Sequence, residues 1–297
     1  MHQTHNLQQR MRLFISIFLP ILIYQLANFS ASFVDTTMTG QYDTLHLAGV
    51  SMATSLWIPF FDLLIGIVSA LVPIIGHHLG QGKKEKIASD FFQFIYLSLG
   101  LSLILFALVF VGAPLVLSHL GLEPLVEEVA KNYLWYLALG IIPLLLFSTI
   151  RSLFDALGLT KLSMYLMLLL LPLNGSFNYA LIYGAFGFPE MGGAGLGTSL
   201  AYWVLLLISL LVAVKHPKIR SYELWKIRPL DKKGLIEGIR LGLPIGGTFF
   251  AEVVIFSVVG LVMAKFSSLI IASHQAAMNF SNLMYAFPMS ISTSMSI

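Results

Sequence analysis

The sequence predicts an all-α polytopic membrane protein, and three observations point to that class. Of the 297 residues, 57% are hydrophobic and only 10% are charged, whereas about a quarter of the residues of an average soluble domain carry charge. The mean hydropathy is +0.85, and such a hydrophobic composition also excludes a disordered chain. The apolar runs are long and continuous, unlike the alternating strands of a membrane β-barrel.

Eight segments are long enough to cross a bilayer as helices, which takes about 20 mostly apolar residues. The predicted spans are Leu13–Val34, His46–Gly76, Phe91–Leu117, Lys131–Phe154, Leu162–Ala185, Ala194–Val214, Ile236–Ala264 and Ser268–Ile297. Turn residues and charges separate them. We do not expect the first span to be a signal peptide, because its apolar run is too long and ends at polar residues.

The positions of the basic residues predict that the N-terminus is cytoplasmic. In that orientation every lysine and arginine except Lys131 and Lys265 lies on the cytoplasmic side, as the positive-inside rule requires. We expect this excess of positive charge to contact anionic membrane lipids. The pI near 9.0 therefore does not indicate a nucleic-acid partner. The absence of cysteine excludes disulfides, thiolate zinc sites and cysteine nucleophiles.

A weak internal repeat predicts the domain organisation. Leu19-Pro20-Ile21 recurs as Leu243-Pro244-Ile245, an offset of 224 residues, and the same offset aligns further apolar residues. We interpret residues 1–214 as an N-terminal six-helix lobe, 215–235 as a cytoplasmic connector and 236–297 as the start of a second lobe. Because the chain stops inside an apolar run, we expect eight of twelve helices.

Two acidic residues are candidates for function, because ionisable groups at membrane depth are costly. Asp35 ends the apolar run of the first span, and its alternative interpretations are an interfacial aspartate or a helix end. Glu252 has apolar neighbours on both sides and no basic residue within helical reach. A buried carboxyl without a partner holds a proton or binds a cation, which are states that a proton- or sodium-coupled carrier uses.

Other polar residues in the spans support or extend this site. Asn174 and Asn178 are four residues apart and share a helix face, where their amides can bond a carboxylate or offer oxygens to a hard cation. Hydrogen bonding between helices is the alternative. Asp62 is a candidate second acid. Asp155 follows Arg151 by four residues, which favours a local ion pair.

No motif indicates an enzyme. None of the eight histidines has metal-protease spacing with an acid, and nucleophile elbows, phosphate loops and dinucleotide fingerprints are missing. The glycine-rich segment Gly192–Gly197 better fits close helix packing. His77 and His78 are adjacent and therefore point in different directions.

The chain resembles the multidrug and toxic compound extrusion (MATE) family, in its NorM-like branch. The matching stretches are Phe33–Gly40, Leu71–Pro73, Gly80–Lys83, Asn178–Gly184, Gly187–Gly195, Glu252 and Ala272–Ala277. They follow one another over essentially the whole chain. The resemblance implies twelve helices in two lobes. It also implies export of cationic or amphipathic compounds by alternating access, in exchange for Na⁺ or H⁺ and without another cofactor.

The resemblance also implies roles for single residues. Asp35 matches the acid of the family's first helix, with Asn174 and Asn178 as its neighbours. Glu252 matches the acid of the seventh helix, and Pro20 matches the proline at which the first helix bends. Gln275 belongs to the matching stretch of the eighth span and, with Asp62 and Asp155, is an additional candidate. We expect a monomer in the bacterial cytoplasmic membrane, with no metal beyond a sodium site.

Two alternatives remain open at this stage. A lipid-linked oligosaccharide flippase of the same superfamily would need a strongly basic cavity, whereas the intramembrane basic candidates are Arg151 and Arg240, both near the cytoplasmic ends. A non-transporting fragment is the other alternative, because the missing C-terminal part supplies a further aspartate to the cation site in this branch.

Overall fold

The computed structural model describes residues 6–188, 195–224 and 226–296, and its regular elements in these ranges are helices. The α-helices are α1 (Leu7–Tyr42), α2 (Thr44–Ser69), α3 (Leu71–Gly80), α4 (Lys84–Ser118), α5 (Pro124–Ala138), α6 (Ile141–Ala156), α7 (Thr160–Ile182), α8 (Gly195–Lys215), α9 (Pro217–Arg220), α10 (Lys232–Val262) and α11 (Ser268–Ser296). Short 3₁₀ turns follow α7 and α10. The predicted span residues Ala194 and Ile297, and the first half of the glycine-rich segment, lie outside the described residues.

By length and composition, six helical segments of the described chain are able to cross a membrane, and α5 with α6 forms a seventh that is bent by 50°. Hydropathy alone thus identifies fewer spans in the described chain than the eight that were predicted. The eighth segment does form a continuous helix, α11. It is not among the spanning candidates, because serine, asparagine, glutamine and histidine side chains recur along it and lower its hydropathy.

Two predicted spans are interrupted. The second span breaks at Ala70 between α2 and α3, and the fourth bends between α5 and α6 next to Gly140. At that bend the hydroxyl of Ser199 donates a hydrogen bond of 2.7 Å to the carbonyl oxygen of Tyr136. An inserted side chain of this kind is a usual cause of a helix kink, since it replaces a lost backbone bond.

Helix α1 is longer than predicted and continues through both Pro20 and Asp35. Pro20 is buried inside it, and the helix extends seven residues beyond Asp35 to Tyr42. Asp35 is therefore not at a helix end, which excludes that one of its two alternatives. The helix is unbroken at Pro20, so a bend at this proline stays a prediction.

Each long helix of the second part of the chain packs against one helix of the first part. Helix α10 lies along α2, and α11 lies along α1. Thr36 of α1 contacts Asn279 of α11, while Ser55 of α2 contacts Gly260 of α10. Gly260 and Ser55 occupy the positions that the offset of 224 assigns to Thr36 and Asn279, respectively. The contact between Thr36 and Asn279 and the contact between Ser55 and Gly260 are therefore at equivalent positions of the predicted repeat. The domain limits at residues 215 and 235 and the membrane orientation stay predictions.

Glycines spaced four residues apart along α10 face two helices: Gly234 and Gly238 lie next to α4, and Gly242 and Gly246 pack on α2. A Cβ atom added at Gly246 would lie 2.3 Å from the carbonyl oxygen of Leu63, and one at Gly242 would lie 2.5 Å from that of Ile67. Small residues at such spacing let helix backbones approach closely. This contact fixes the second part of the chain against the first.

The connector before α10 is held against α4. The Gln93 side chain donates to the carbonyl oxygen of Pro229 at 3.0 Å and accepts from the backbone N–H of Asp231 at 2.8 Å. The Tyr96 hydroxyl donates to the carbonyl oxygen of Arg228 at 2.7 Å. The neighbouring Ile227 is 79% exposed, which agrees with a segment that lies at a membrane surface.

Candidate carboxylate site

Asp35 of α1 is one member of a ring of hydrogen-bonded side chains that come from three helices. Its Oδ1 atom accepts a bond from the Nδ2 group of Asn178 in α7. Its Oδ2 atom accepts a bond of 3.1 Å from the hydroxyl of Thr198 in α8. The sequence prediction that Asn178 lies beside Asp35 agrees with this geometry.

Asn174 closes the ring. The Nδ2 group of Asn178 also donates to the Oδ1 atom of Asn174 at 3.1 Å, and the Nδ2 group of Asn174 donates to the hydroxyl oxygen of Thr198 at 3.0 Å. Asn174 is 1% exposed and Asn178 is fully buried. The two asparagines therefore serve both predicted roles, since they bond the carboxylate and also join α7 to α8.

The ring is matched to the ionised form of Asp35. Each donor in it faces an acceptor, and an ionised carboxylate only accepts hydrogen bonds. Each carboxylate oxygen accepts one of these bonds and still has a free lone pair. A proton or a bound cation on Asp35 would neutralise the carboxylate and so weaken the bonds from Asn178 and Thr198, which join α1 to α7 and α8.

One oxygen of this site has no donor. The Oδ1 atom of Asn178 is buried and lacks a hydrogen-bond partner among the described residues. Buried polar atoms without partners are rare in folded proteins. Amide and carboxylate oxygens are the ligand type that hard cations prefer, but Asn178 turns its Nδ2 group and not this oxygen towards Asp35.

Gly197 makes room for this arrangement at the start of α8. A Cβ atom added there would lie 2.1 Å from the Oδ1 atom of Asn178 and 2.9 Å from its backbone nitrogen. Any side chain at this position would displace Asn178 from Asp35. The part of the glycine-rich segment that the structure describes therefore provides the predicted close packing.

Glu252 lies elsewhere, in a second acidic cluster. It is exposed on α10, and its Oε2 atom accepts a hydrogen bond of 3.2 Å from the hydroxyl of Tyr285 in α11. This corrects the prediction of a buried carboxyl without a partner. Asp62 of α2 interacts electrostatically with Glu252, so the candidate second acid belongs to this cluster and not to the ring around Asp35.

Of the other candidates, Asp155 departs from its prediction. Its Oδ1 atom accepts a hydrogen bond of 2.7 Å from the hydroxyl of Ser163, and among the described residues it interacts with Arg151 electrostatically without a direct ion pair. The Arg151 guanidinium instead lies 5.1 Å from the centre of the Tyr24 ring. The prediction considered only one helix, whereas α1 and α7 supply the nearer partners.

Gln275 joins the two halves of the chain, because its Oε1 atom accepts a bond of 3.0 Å from the Ser51 hydroxyl. His78 contacts Asp90 at 2.6 Å and His77 contacts Gln81 at 2.5 Å, so the two histidines do point apart. In the described chain no three histidine, aspartate or glutamate side chains gather as a metal site.

Sequence reasoning missed Thr198, Tyr285 and Asn279. Asn279 follows Gln275 by four residues, with three apolar residues between them, and this is the same spacing that identified Asn174 and Asn178, so it could have been found. Thr198 and Tyr285 are single residues without a spacing signal, and only their contacts show their importance.

Known proteins share this fold and sequence. The MatE family model matches residues 20–180. A "Probable multidrug resistance protein NorM" of Streptococcus pneumoniae serotype 4 (strain ATCC BAA-334 / TIGR4) is 70% identical over all of this chain and 66% of its own length. One of Halalkalibacterium halodurans is 41% identical, with the same coverage. The chain thus spans about two thirds of the length of these relatives.

Solved structures agree on the fold. The MATE multidrug transporter DinF-BH, solved in complex with a ligand, superimposes with a TM-score of 0.80 at 18% identity, over 96% of this chain and 64% of its own. The eukaryotic MATE transporter AtDTX14 gives 0.79 at 17% identity, over 95% and 63%. These matches extend through the helices that carry both acidic clusters. The chain therefore belongs to the MatE family, the multidrug and toxic compound extrusion family that its sequence resembles.

Proposed function

We propose that this chain forms the ion-coupling part of a multidrug exporter, which releases cationic or amphipathic compounds from a bacterial cell in exchange for Na⁺ or H⁺ by alternating access. The observation that carries the proposal is the ring around Asp35. Its bonds from Asn178 and Thr198 are strongest to a charged carboxylate, so neutralisation by a bound ion weakens the contacts between three helices. A change of this kind biases a carrier between two conformations.

The second cluster supports a further ion-dependent step. Asp62, Glu252 and Tyr285 belong to α2, α10 and α11, and these helices come from both halves of the chain. Repulsion between two carboxylates favours uptake of a proton or cation between them. Drug and ion then use the opening between the halves in turn.

The relatives support the substrate class and the place of action. Their names refer to multidrug resistance, and one structural relative is described as a multidrug transporter in complex with a ligand. We infer a monomer in the cytoplasmic membrane, with its N-terminus inside and its basic connector next to anionic lipids. No further cofactor is needed, because the ion gradient supplies the free energy.

The test is ethidium efflux from proteoliposomes under separate sodium and proton gradients. The chain is assayed alone and joined to the C-terminal third of the Streptococcus pneumoniae relative. We expect efflux from the joined protein, and loss of its ion dependence in Asp35→Asn and Glu252→Gln. Glu123→Gln, an exposed acid outside both clusters, is the matched control. Undiminished ion-driven efflux in both variants would refute the proposal. If the joined protein exports ethidium and the unjoined chain does not, the present chain does not transport by itself.

A further inference from the structure

Asn279 connects the second part of the chain to the segment of α1 that carries Asp35. Its Nδ2 group donates a hydrogen bond to the hydroxyl oxygen of Thr36, the residue after Asp35. Its Oδ1 atom accepts a bond of 3.4 Å from the hydroxyl of Ser32, one helical turn earlier. Asn279 is only 3% exposed, so a single buried amide holds both sides of the turn that contains Asp35.

The matching contact on the other side of the repeat lacks this link. There Ser55 of α2 occupies the position equivalent to Asn279, and Gly260 of α10 occupies the position equivalent to Thr36. Gly260 has no side chain, and its backbone lies so close to Ser55 that an added Cβ would be 2.2 Å from the serine hydroxyl. The helices pack closely at both places, so packing alone does not require the amide of Asn279.

A cavity of about 280 Å³ lies at the contact between α1 and α11. Its lining includes Thr36 and Asn279 themselves, together with Phe33 and Thr37 on the same turns of α1. Breaking the bond between Thr36 and Asn279 would therefore widen an existing space between the halves. The hydrogen bond between Thr36 and Asn279 therefore lies where α1 and α11 would separate.

We propose that Asn279 is a positioning residue that transmits the occupancy of Asp35 to α11 and so controls the separation of α1 from α11. The proposal rests on the proposed ion-coupling role of Asp35. When a proton or cation binds Asp35, the ring with Asn178 and Thr198 rearranges and the adjacent turn of α1 moves. Asn279 is bonded to that turn, so α11 responds to the same event.

The groups that face Asp35 do not titrate near neutral pH, so a pH experiment is able to detect proton binding to Asp35. Asn174 and Asn178 of α7 and Thr198 of α8 contact it and do not titrate. Tyr133 of α5 and Tyr202 of α8 interact with it electrostatically, and an unperturbed tyrosine titrates only near pH 10. A pH response that is present in the unsubstituted protein and lost in Asp35→Asn is therefore assigned to Asp35.

The experiment measures the distance between spin labels on α1 and α11. The chain has no cysteine, so the substitutions Gln41→Cys and Leu269→Cys, both at exposed positions, place two labels without background. The full chain in lipid nanodiscs is studied at low and high pH, with and without sodium. We expect an ion-dependent shift in the ratio of separated to closed states, and we expect Asn279→Ala to lose that dependence. Loss of the hydrogen bond between Asn279 and Thr36 should change the ratio of separated to closed states by about three- to five-fold.

Control variants separate the possible results. Ser55→Ala removes a hydroxyl at the matched position and should respond like the unsubstituted protein. Thr36→Val removes the acceptor at nearly constant volume and should reproduce Asn279→Ala, which also tests the link if the asparagine variant does not fold. An ion-dependent shift that persists in Asn279→Ala or Thr36→Val overturns the role of Asn279. If the shift persists in Asp35→Asn, the proposed role of Asp35 fails, and this inference fails with it.

Discussion

The substitution Gly246→Ala tests how closely the two halves of the chain are packed. A Cβ atom at this position would lie 2.3 Å from the carbonyl oxygen of Leu63 and 2.9 Å from the Cγ1 atom of Ile67. The Ile67 side chain is able to rotate away, but the carbonyl belongs to the backbone of α2. The two helices must therefore separate locally by about 1.1 Å to reach the 3.4 Å of an ordinary contact.

The expected cost follows from this displacement. Overpacking of a well-packed interior costs about 1–3 kcal/mol, while the better helix propensity of alanine returns at most about 1 kcal/mol. The separation also loosens the neighbouring contact between Gly242 and Ile67. We therefore expect the free energy of unfolding to fall by about 1–2 kcal/mol, which lowers the melting temperature by several degrees.

Gly247→Ala is the matched control, since Gly247 follows in the same helix and an added Cβ there would meet no atom within 4 Å. The assay is thermal unfolding in detergent, followed by fluorescence-detected size-exclusion chromatography. Gly247→Ala should be as stable as the unsubstituted protein or slightly more so. Equal melting temperatures for Gly246→Ala and Gly247→Ala would refute the packing of α10 on α2 described above.

Three further predictions concern other contacts. Gly197→Ala should displace Asn178 and abolish ion-dependent efflux as completely as Asn178→Ala, measured in the proteoliposomes described above. Asp43→Ala removes the N-cap of α2 and should cost about 1 kcal/mol near neutral pH. Although partial desolvation raises the pKa of Asp43, hydrogen bonds from His46 and Leu45 lower it below its usual value. The stabilisation is therefore complete above the ordinary aspartate pKa of about 3.9 and is lost as pH falls through the lower folded value, which melting temperatures across acidic pH would show. Gln93→Leu should release the connector and increase its cleavage by trypsin about five- to thirty-fold, because two hydrogen bonds of about 1 kcal/mol each are lost.

Each of these predictions has a control and an outcome that contradicts it. Gly100→Ala adds a methyl group where no atom lies within 4 Å, so it should leave efflux unchanged, and intact ion dependence in Gly197→Ala would contradict the close packing. Asp43→Asn keeps a capping side chain, and a loss equal to that of Asp43→Ala would contradict capping as the cause. Gln81→Leu changes an exposed glutamine, and equal trypsin cleavage in it and in Gln93→Leu would show that α4 does not hold the connector.

The sequence predicted the membrane class and most of the candidate site around Asp35. Hydropathy depends on composition along the chain, so the spans could be located before any packing was known. The spacing of Asn174 and Asn178 is also local, because residues four apart share a helix face whatever that helix contacts. The eighth predicted span forms one helix, α11, and its recurring polar side chains keep its hydropathy below that of the other spans.

Several partners depended on which helices are neighbours. Asp155 bonds Ser163 of α7 although Arg151 precedes it on its own helix, and Glu252 bonds Tyr285 of α11 although its local sequence is apolar. Spacing along one helix does not show which other helix covers a given face. Errors of this kind arise because a contact across space was judged from the chain alone.

By itself, the sequence determined that this protein is helical, belongs in a membrane and carries rare acids at membrane depth. Only the tertiary structure decided that Thr198 completes the ring around Asp35 and that Asn279 bonds Thr36 next to it. The physical reason is that lipid and neighbouring helices are equally apolar, so hydrophobicity buries a helix without selecting its partner. Close glycine contacts and hydrogen bonds select the partner, and they exist only once the helices are side by side.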